Sequence, residues 1–164
     1  MTATTIRHVE ETDADAVQQI LTAPHVVRGT MRLAVTPRQY TVKRIAPADG
    51  AYKLVAVVGG EVAGFCELLT TPDLPRHSHA GEINLVATHP AFRGRDIGNA
   101  MMEAMLDLAD NWLQLTRVGL IVWDGNETAI DLYRKHGFVI EGTMSRFVFC
   151  EGGYLDAHVM GRIR

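Results

Sequence analysis

Long apolar runs are missing from this sequence. No stretch approaches the roughly 20 apolar residues that a membrane-spanning helix needs. The opening Met1-Thr-Ala-Thr-Thr lacks the charged-then-apolar pattern of a secretory leader. A cytoplasmic location, with no membrane partner, is therefore the expectation. A basic excess is missing too. Sixteen Lys and Arg against nineteen Asp and Glu give a formal net charge of −3, which argues against the cationic surface of a nucleic-acid binder. Cysteine is scarce. Cys66 and Cys150 have no metal-ligand spacing, and both sit in apolar, strand-like contexts that read as buried, reduced thiols. No low-complexity linker, internal repeat or long charge run divides the chain, so residues 1–164 read as one domain with room for a substantial core.

What is present is alternation between strand-like and helix-like patterns. Residues 5–9 predict a first strand. Thr12-Asp-Ala-Asp predicts a helix start, with Thr12 as cap and Asp15 in the capping-box position, and the helix runs to about residue 22. Residues 23–37 read as an irregular connection, and a second helix begins after Thr36 with Pro37 at its first position. Two β-rich runs, 52–58 and 62–69, flank Gly59-Gly60 and predict a hairpin. A polar, Pro-rich loop over 70–79 leads to a strand at 82–88. From Gly98 to about residue 113, Met101, Met105, Leu108 and Trp112 mark one helical stripe, with Glu103, Asp107, Asp110 and Gln114 opposite. A strand at 117–123, a helix at 127–136 and two strands joined near Glu151-Gly152-Gly153 complete the chain.

Two segments carry chemistry. In the first, the strand at 82–88 enters the bend His89-Pro90 and then Arg93-Gly94-Arg95-Asp96-Ile97-Gly98-Asn99, where a helix begins. A helix start offers N–H groups with no intrahelical partner and partial positive charge, and glycines let a phosphate approach the backbone. The spacing of Gly94 and Gly98 fits neither the dinucleotide fingerprint nor a P-loop. In the second, Asn126-Glu-Thr-Ala129-Ile-Asp-Leu-Tyr133-Arg-Lys-His-Gly137-Phe138 reads as a short helix ended by a Gly cap and followed by a strand.

Together these segments resemble the GNAT superfamily of acyl-CoA-dependent N-acyltransferases. Its later motif, Asn-x-x-Ala-x-x-x-Tyr-x-x-x-Gly-Phe, is complete here. Its loop motif, Gln/Arg-x-x-Gly-x-Gly/Ala, is met by Arg93 and Gly98, but Asp96 stands where the middle Gly is expected. The resemblance implies an α+β (mixed α/β) fold in the order βααβββαβαββ. Its central sheet would be mixed but mainly antiparallel, with about seven strands and helices on both faces. The strands at 82–88 and 117–123 would be parallel neighbours that splay apart. It implies acetyl-CoA as cosubstrate and no metal. Val86-Ala87-Thr88 would contact the pantetheine arm through backbone at Val86 and Thr88. Arg93, Gly94, Arg95, Asp96, Ile97, Gly98 and Asn99 would hold the phosphates, and Asn126 would orient the cofactor or the helix carrying Tyr133.

By the same resemblance Tyr133 protonates the departing thiolate, a role that suits a phenol with pKa near 10. Glu82 is the candidate general base, acting directly or through water. Glu67 on the neighbouring strand competes for that role, and strand alternation turns it toward the same cleft. Asn84 faces that cleft as well. Arg28, Thr30 and Met31 are candidate substrate-binding residues, and Arg28 or Arg76 is a candidate for holding a substrate carboxylate. His77 and His79 share a loop without a third ligand and read as surface or substrate-loop residues. His89 reads as a bend residue. The segments at 24–37, Asn111-Trp-Leu, Ile140-Glu-Gly-Thr and Gly153-Tyr-Leu-Asp resemble a bacterial branch that includes amino-acid Nα-acetyltransferases. The acceptor implied is a small-molecule primary amine, foremost a free amino acid. Protein, peptide, polyamine or aminoglycoside acetylation and a non-catalytic acyl-CoA-binding module remain as alternatives, and a homodimer is compatible with each.

Overall fold

The computed structural model describes residues 3–164. Strand β1 (Thr4–His8) precedes helices α1 (Ala14–Leu21), α2 (Pro24–Arg28) and α3 (Arg38–Ile45). Strands β2 (Ala51–Val58), β3 (Glu61–Thr70) and β4 (Ala80–Thr88) lead to α4 (Ile97–Asp107). Then come β5 (Arg117–Trp123), α5 (Glu127–Lys135), β6 (Val139–Cys150) and β7 (Gly153–Ile163). The seven strands form one sheet in the order β1-β2-β3-β4-β5-β7-β6. Every neighbouring pair is antiparallel except β4 with β5. The expected mixed, mainly antiparallel sheet is thus present, with one more helix than the expected order.

Each face of the sheet has its own core. Strand β3 is buried on both sides, and alternation sends Phe65 to one core and Cys66 to the other. The helices α1, α2 and α3 cover one face through Val17, Ile20, Leu21, Val26 and Ile45. Helices α4 and α5 cover the other through Met101, Met105 and Ile130. No helix among the described residues is long and apolar enough to cross a membrane.

Several local expectations shift. The capping box lies ahead of the first helix rather than at Thr12 and Asp15: Glu10 precedes a 3-10 turn, Glu11–Asp13, that runs into α1, and Asp13 is the third residue of that turn. The Asp13 carboxylate accepts the Glu10 N–H at 2.8 Å and a two-pronged pair from Arg7 at 2.8 and 2.9 Å. The segment expected to be irregular contains α2, which starts with Pro24 at a first helical position. Trp112 leaves the apolar stripe and is 76% exposed. There α4 continues as a wider π turn, Leu108–Trp112, closed by Leu113 N–H donating to the Leu108 carbonyl at 3.0 Å. The extra residue per turn rotates Trp112 outward. It also brings Asp110, expected in solvent, to a bidentate pair with Arg162 of β7 at 2.7 and 2.8 Å. Cys66 is buried as expected, whereas Cys150, at the end of the outermost strand, is only half-buried.

The approach of α4 to β3 depends on Gly64. A Cβ there would stand 2.8 Å from Met101 Cε and 2.9 Å from Ile97 Cγ2, both fully packed side chains. Gly64→Ala is expected to lower unfolding free energy by about 1–3 kcal/mol through overpacking. Urea unfolding with an unchanged slope and a lower midpoint checks this; an unchanged midpoint would mean that α4 can stand further off without loss.

Candidate active site

The middle of the sheet is open. Strand β4 pairs with β5 only over Ala80–Glu82 against Arg117–Gly119. Beyond that point β5 stays paired with β7 along its whole length, and β4 stays with β3. The two therefore diverge. The register of β3 against β4 steps at Asn84, which is left as the extra residue of a bulge between Ile83 and Leu85. A bulge bends its strand and re-aims a side chain, and this one lies where the strands part. Further along, the His89 N–H donates to the Ala63 carbonyl of β3 at 2.8 Å. Alternation then turns the polar backbone of Thr88 and Val86 toward the gap. The Thr88 carbonyl meets His25 Nε2 of α2 there at 3.0 Å. Burial holds the His25 imidazole below its ordinary pKa.

The loop after β4 forms the far end of a cleft of about 690 Å³. His89 is a bend residue as expected, its Nδ1 accepting the Ala91 N–H at 3.1 Å. Gly94 has φ of 75°, and a Cβ there would meet nothing within 4 Å, so the backbone faces open space. Asp96 has φ of 60° and ψ of 20°, the left-handed conformation that a glycine would adopt easily. Asp is among the few other residues that tolerate it, so the departure from the motif keeps the turn. No side chain caps the start of α4, which leaves the first-turn N–H groups available to a ligand. Arg93, Gly94, Asp96, Ile97, Gly98 and Asn99 all line the cleft. Arg95 does not; its guanidinium stacks over the Phe92 ring at 5.2 Å.

Helix α5 brings Tyr133 to the same cleft, and the spacing of its motif has a geometric cause. Asn126 caps the helix, its side-chain oxygen facing the Ala129 N–H at 3.4 Å. At the other end Phe138 N–H donates to the Tyr133 carbonyl at 3.1 Å and Gly137 N–H to the Arg134 carbonyl at 3.0 Å. Gly137 has φ of 86°. These are the paired bonds of a Schellman cap, which also brings the residue after the glycine against the residue five before it. The Tyr133 and Phe138 rings lie 6.1 Å apart. Burial pushes the Tyr133 phenol up to about 12, so it holds its proton at neutral pH. Gly98 allows α4 to approach α5, since a Cβ there would stand 3.2 Å from Leu132. Asn99 links the two helices through His136 Nε2 at 2.9 Å.

On the other side of the bulge lies a second chamber, about 600 Å³, between β4 and the α2–α3 connection. Cleft and chamber share Gly29, Thr30, Ile83, Asn84, Leu85 and Ile121, so they open into one another. Thr30 and Met31, the candidate substrate-binding residues, line it, and Glu82 stands exposed on its wall. Glu67 is placed differently from its rival. It is buried, and its Oε2 accepts from Arg44 Nη2 and from Asn84 Nδ2, each at 2.7 Å. It thus supports the bulge from behind and is absent from the chamber lining. Arg28 is also absent from the lining: its Nε donates to Glu151 of the β6–β7 turn at 2.8 Å. Arg76 lies exposed on the loop before β4 and outside both cavities. The sequence reading did not single out Arg32 within the 24–37 segment, and it missed Arg44, Tyr40, Trp123 and Phe147; all five line the chamber. Of the missed four only Trp123 had a signal, its place at the end of β5 just before the Asn126 motif.

His77 Nδ1 lies 2.9 Å from the Thr71 hydroxyl, and its ring sits 5.9 Å from that of His79. Among the described residues no group of three or more His, Cys, Asp or Glu side chains is placed to hold a metal.

The acetyltransferase (GNAT) family profile matches residues 15–138. The chain is 32% identical, over the full length of both proteins, to the L-amino acid N-acetyltransferase AaaT of Escherichia coli K12. It is 30% identical over 105 residues to the spermidine N(1)-acetyltransferase of the same organism, covering 64% of this chain and 54% of that protein. The fold matches that of yncA, a putative acetyltransferase from Salmonella typhimurium solved with acetyl-CoA, with a TM-score of 0.83 at 20% identity over 99% of this chain and 94% of that one. The chain belongs to the GNAT family and is an acetyl-CoA-dependent N-acetyltransferase.

Proposed function

We propose that this protein transfers the acetyl group of acetyl-CoA to the primary amine of a free amino acid or close analogue. The observation that carries the reading is the junction of cleft and chamber around the Asn84 bulge, with Tyr133 on one side and Glu82 on the other. The thioester lies at the gap between β4 and β5, and its phosphates lie against Arg93 and the uncapped start of α4. The acceptor occupies the chamber. An ammonium cannot attack, so its proton first passes to Glu82, directly or through water. The neutral nitrogen then bonds to the thioester carbonyl carbon. Collapse of the tetrahedral adduct breaks the C–S bond, Tyr133 delivers a proton to the departing thiolate, and the nitrogen, which carries one proton too many after attack, gives it to water to leave the neutral amide. The phenol recovers its proton from solvent. The full-length likeness to an L-amino acid N-acetyltransferase supports this acceptor class. Met31, Leu33 and Val35 of the α2–α3 connection and Tyr40 of α3 line the chamber and are all more than half exposed, a wall suited to the apolar part of a small substrate.

A screen of amino acids, polyamines, peptides and aminoglycosides with acetyl-CoA, reading released thiol, tests the acceptor. Turnover of amino acids is expected; turnover of polyamines or peptides alone would overturn the reading. Tyr133→Phe keeps the ring and removes the donor, and kcat should fall roughly 10- to 1,000-fold with little change in cofactor affinity. Because burial raises the phenol to about 12, its acid form is lost only as pH rises through that value. An alkaline loss of kcat below pH 10 would therefore belong to another group.

Glu82→Gln removes the proton acceptor and should lower kcat/KM roughly 10- to 1,000-fold with little loss of stability. Glu67→Gln should lower stability instead, because it leaves Arg44 without its anion. The reverse pattern would move the base to Glu67.

Asp96 places a carboxylate on the phosphate side of the cleft. Asp96→Asn keeps the left-handed turn and removes the charge, so acetyl-CoA should bind about fivefold more tightly at low salt, with the gain shrinking as salt screens it. Weaker binding of acetyl-CoA by this variant in a calorimetric titration would show that the carboxylate organises the loop.

A further inference from the structure

Three buried side-chain atoms among the described residues have no hydrogen-bond partner: Arg32 Nε, Arg44 Nε and Trp123 Nε1. All three side chains line the acceptor chamber. All three atoms are donors, and neither guanidinium nor indole has any acceptor capacity. Buried polar groups are nearly always paired, so three unpaired donors on side chains that line one cavity mark a wall short of acceptors. Charge gives the same sign. Arg44 is paired through Nη2 with Glu67, whose same carboxylate oxygen also takes Asn84. Arg32 has no ion pair among the described residues, and it lies close enough to Arg44 to feel its charge. Burial and that like charge push its guanidinium down to about 10, which leaves it cationic at neutral pH but under-compensated.

We infer that Arg32, with Trp123 Nε1 and the free edge of Arg44, forms a carboxylate-binding subsite that holds the α-carboxylate of the acceptor. The inference rests on the amino-acid reading above and gives that reading its selectivity. A carboxylate accepts from a guanidinium in a forked, charge-assisted pair, and its arrival neutralises the one cation in the chamber that lacks a partner. The same subsite works against a polyamine, which would bring further positive charge beside Arg32 and Arg44. Glu82, on the same chamber wall, is left for the ammonium end. The acceptor is thereby oriented with its carboxylate on the guanidinium side and its nitrogen toward the β4 bulge.

The test compares each amino acid that the enzyme acetylates with its own carboxamide, which keeps the side chain and the amine but loses the negative charge. Wild-type protein, Arg32→Gln, Arg32→Lys and Trp123→Phe are assayed at one pH. For Arg32→Gln, kcat/KM should fall about 10- to 100-fold for the amino acid, chiefly through KM, and stay within about twofold for the amide. Arg32→Lys should recover part of the loss, since it restores the charge without the fork. Trp123→Phe should cost a few-fold for the acid alone. The melting temperature of Arg32→Gln should hold or rise, because an unpaired buried cation is removed. Equal losses on acid and amide, or no loss on either, would overturn the subsite while leaving the amino-acid assignment intact. Acetylation confined to amines without a carboxylate would overturn both.

Discussion

Three paired positions hold β4 to β5, and past Glu82 the strands part. A sheet that opens in its own middle exposes backbone N–H and C=O groups that elsewhere in the fold are matched strand to strand, and such groups are costly when left without a partner. The opening persists because each strand is fixed on its other side. Strand β5 is paired with β7 throughout, β4 is paired with β3, and the bulge at Asn84 bends β4 at the point of separation. The helices then take their positions from the gap. Those after β1 close one face, α4 starts at the mouth, and α5 reaches in with Tyr133. Cofactor cleft and acceptor chamber are the two ends of one interruption in hydrogen bonding.

How much of this was legible in the sequence follows from how far apart the partners lie along the chain. The Tyr133, Gly137 and Phe138 spacing was legible because a Schellman cap fixes it within one turn: the Phe138 N–H must reach the Tyr133 carbonyl. The Gly59-Gly60 hairpin and the loop ahead of α4 were legible for the same reason. The chamber was legible only in part, through the 24–37 connection that carries Thr30 and Met31. Arg44 looks like any solvent-facing cation on a short helix until β3 brings Glu67 to it. Arg28 looked suited to a substrate carboxylate, yet Glu151, 123 residues away, occupies it. Helix α2 has only five residues, too few for a periodic pattern, and only its leading proline announced it. The π turn that carries Trp112 outward depends on contacts with β7 that no local pattern encodes.

Asp96 separates two requirements that a glycine would meet together. The loop needs a residue that accepts positive φ, and it gains from having no negative charge near a pyrophosphate. Asp meets the first at modest cost and works against the second. On the proposed reading, the phosphate side carries this penalty because its donors are backbone N–H groups at the uncapped start of α4, whose direction is set by the helix and not by any single side chain.

The acceptor side is built on the opposite principle. Its walls come from the α2–α3 connection, α3, β4, β5 and Phe147 of β6, and two of its polar groups, Arg44 and Asn84, are held by another side chain. Glu67 shows the consequence. One buried carboxylate fixes both Arg44 and the Asn84 bulge, so the geometry of the acceptor site and the opening of the sheet share a single anchor. Removing that charge would release a guanidinium into the chamber and slacken the strand that divides chamber from cleft. The walls of chamber and cleft are therefore tied together through one residue that lines neither. On the proposed reading, acceptor preference is set in the chamber walls, around Arg32, Tyr40 and Trp123, with that anchor left in place.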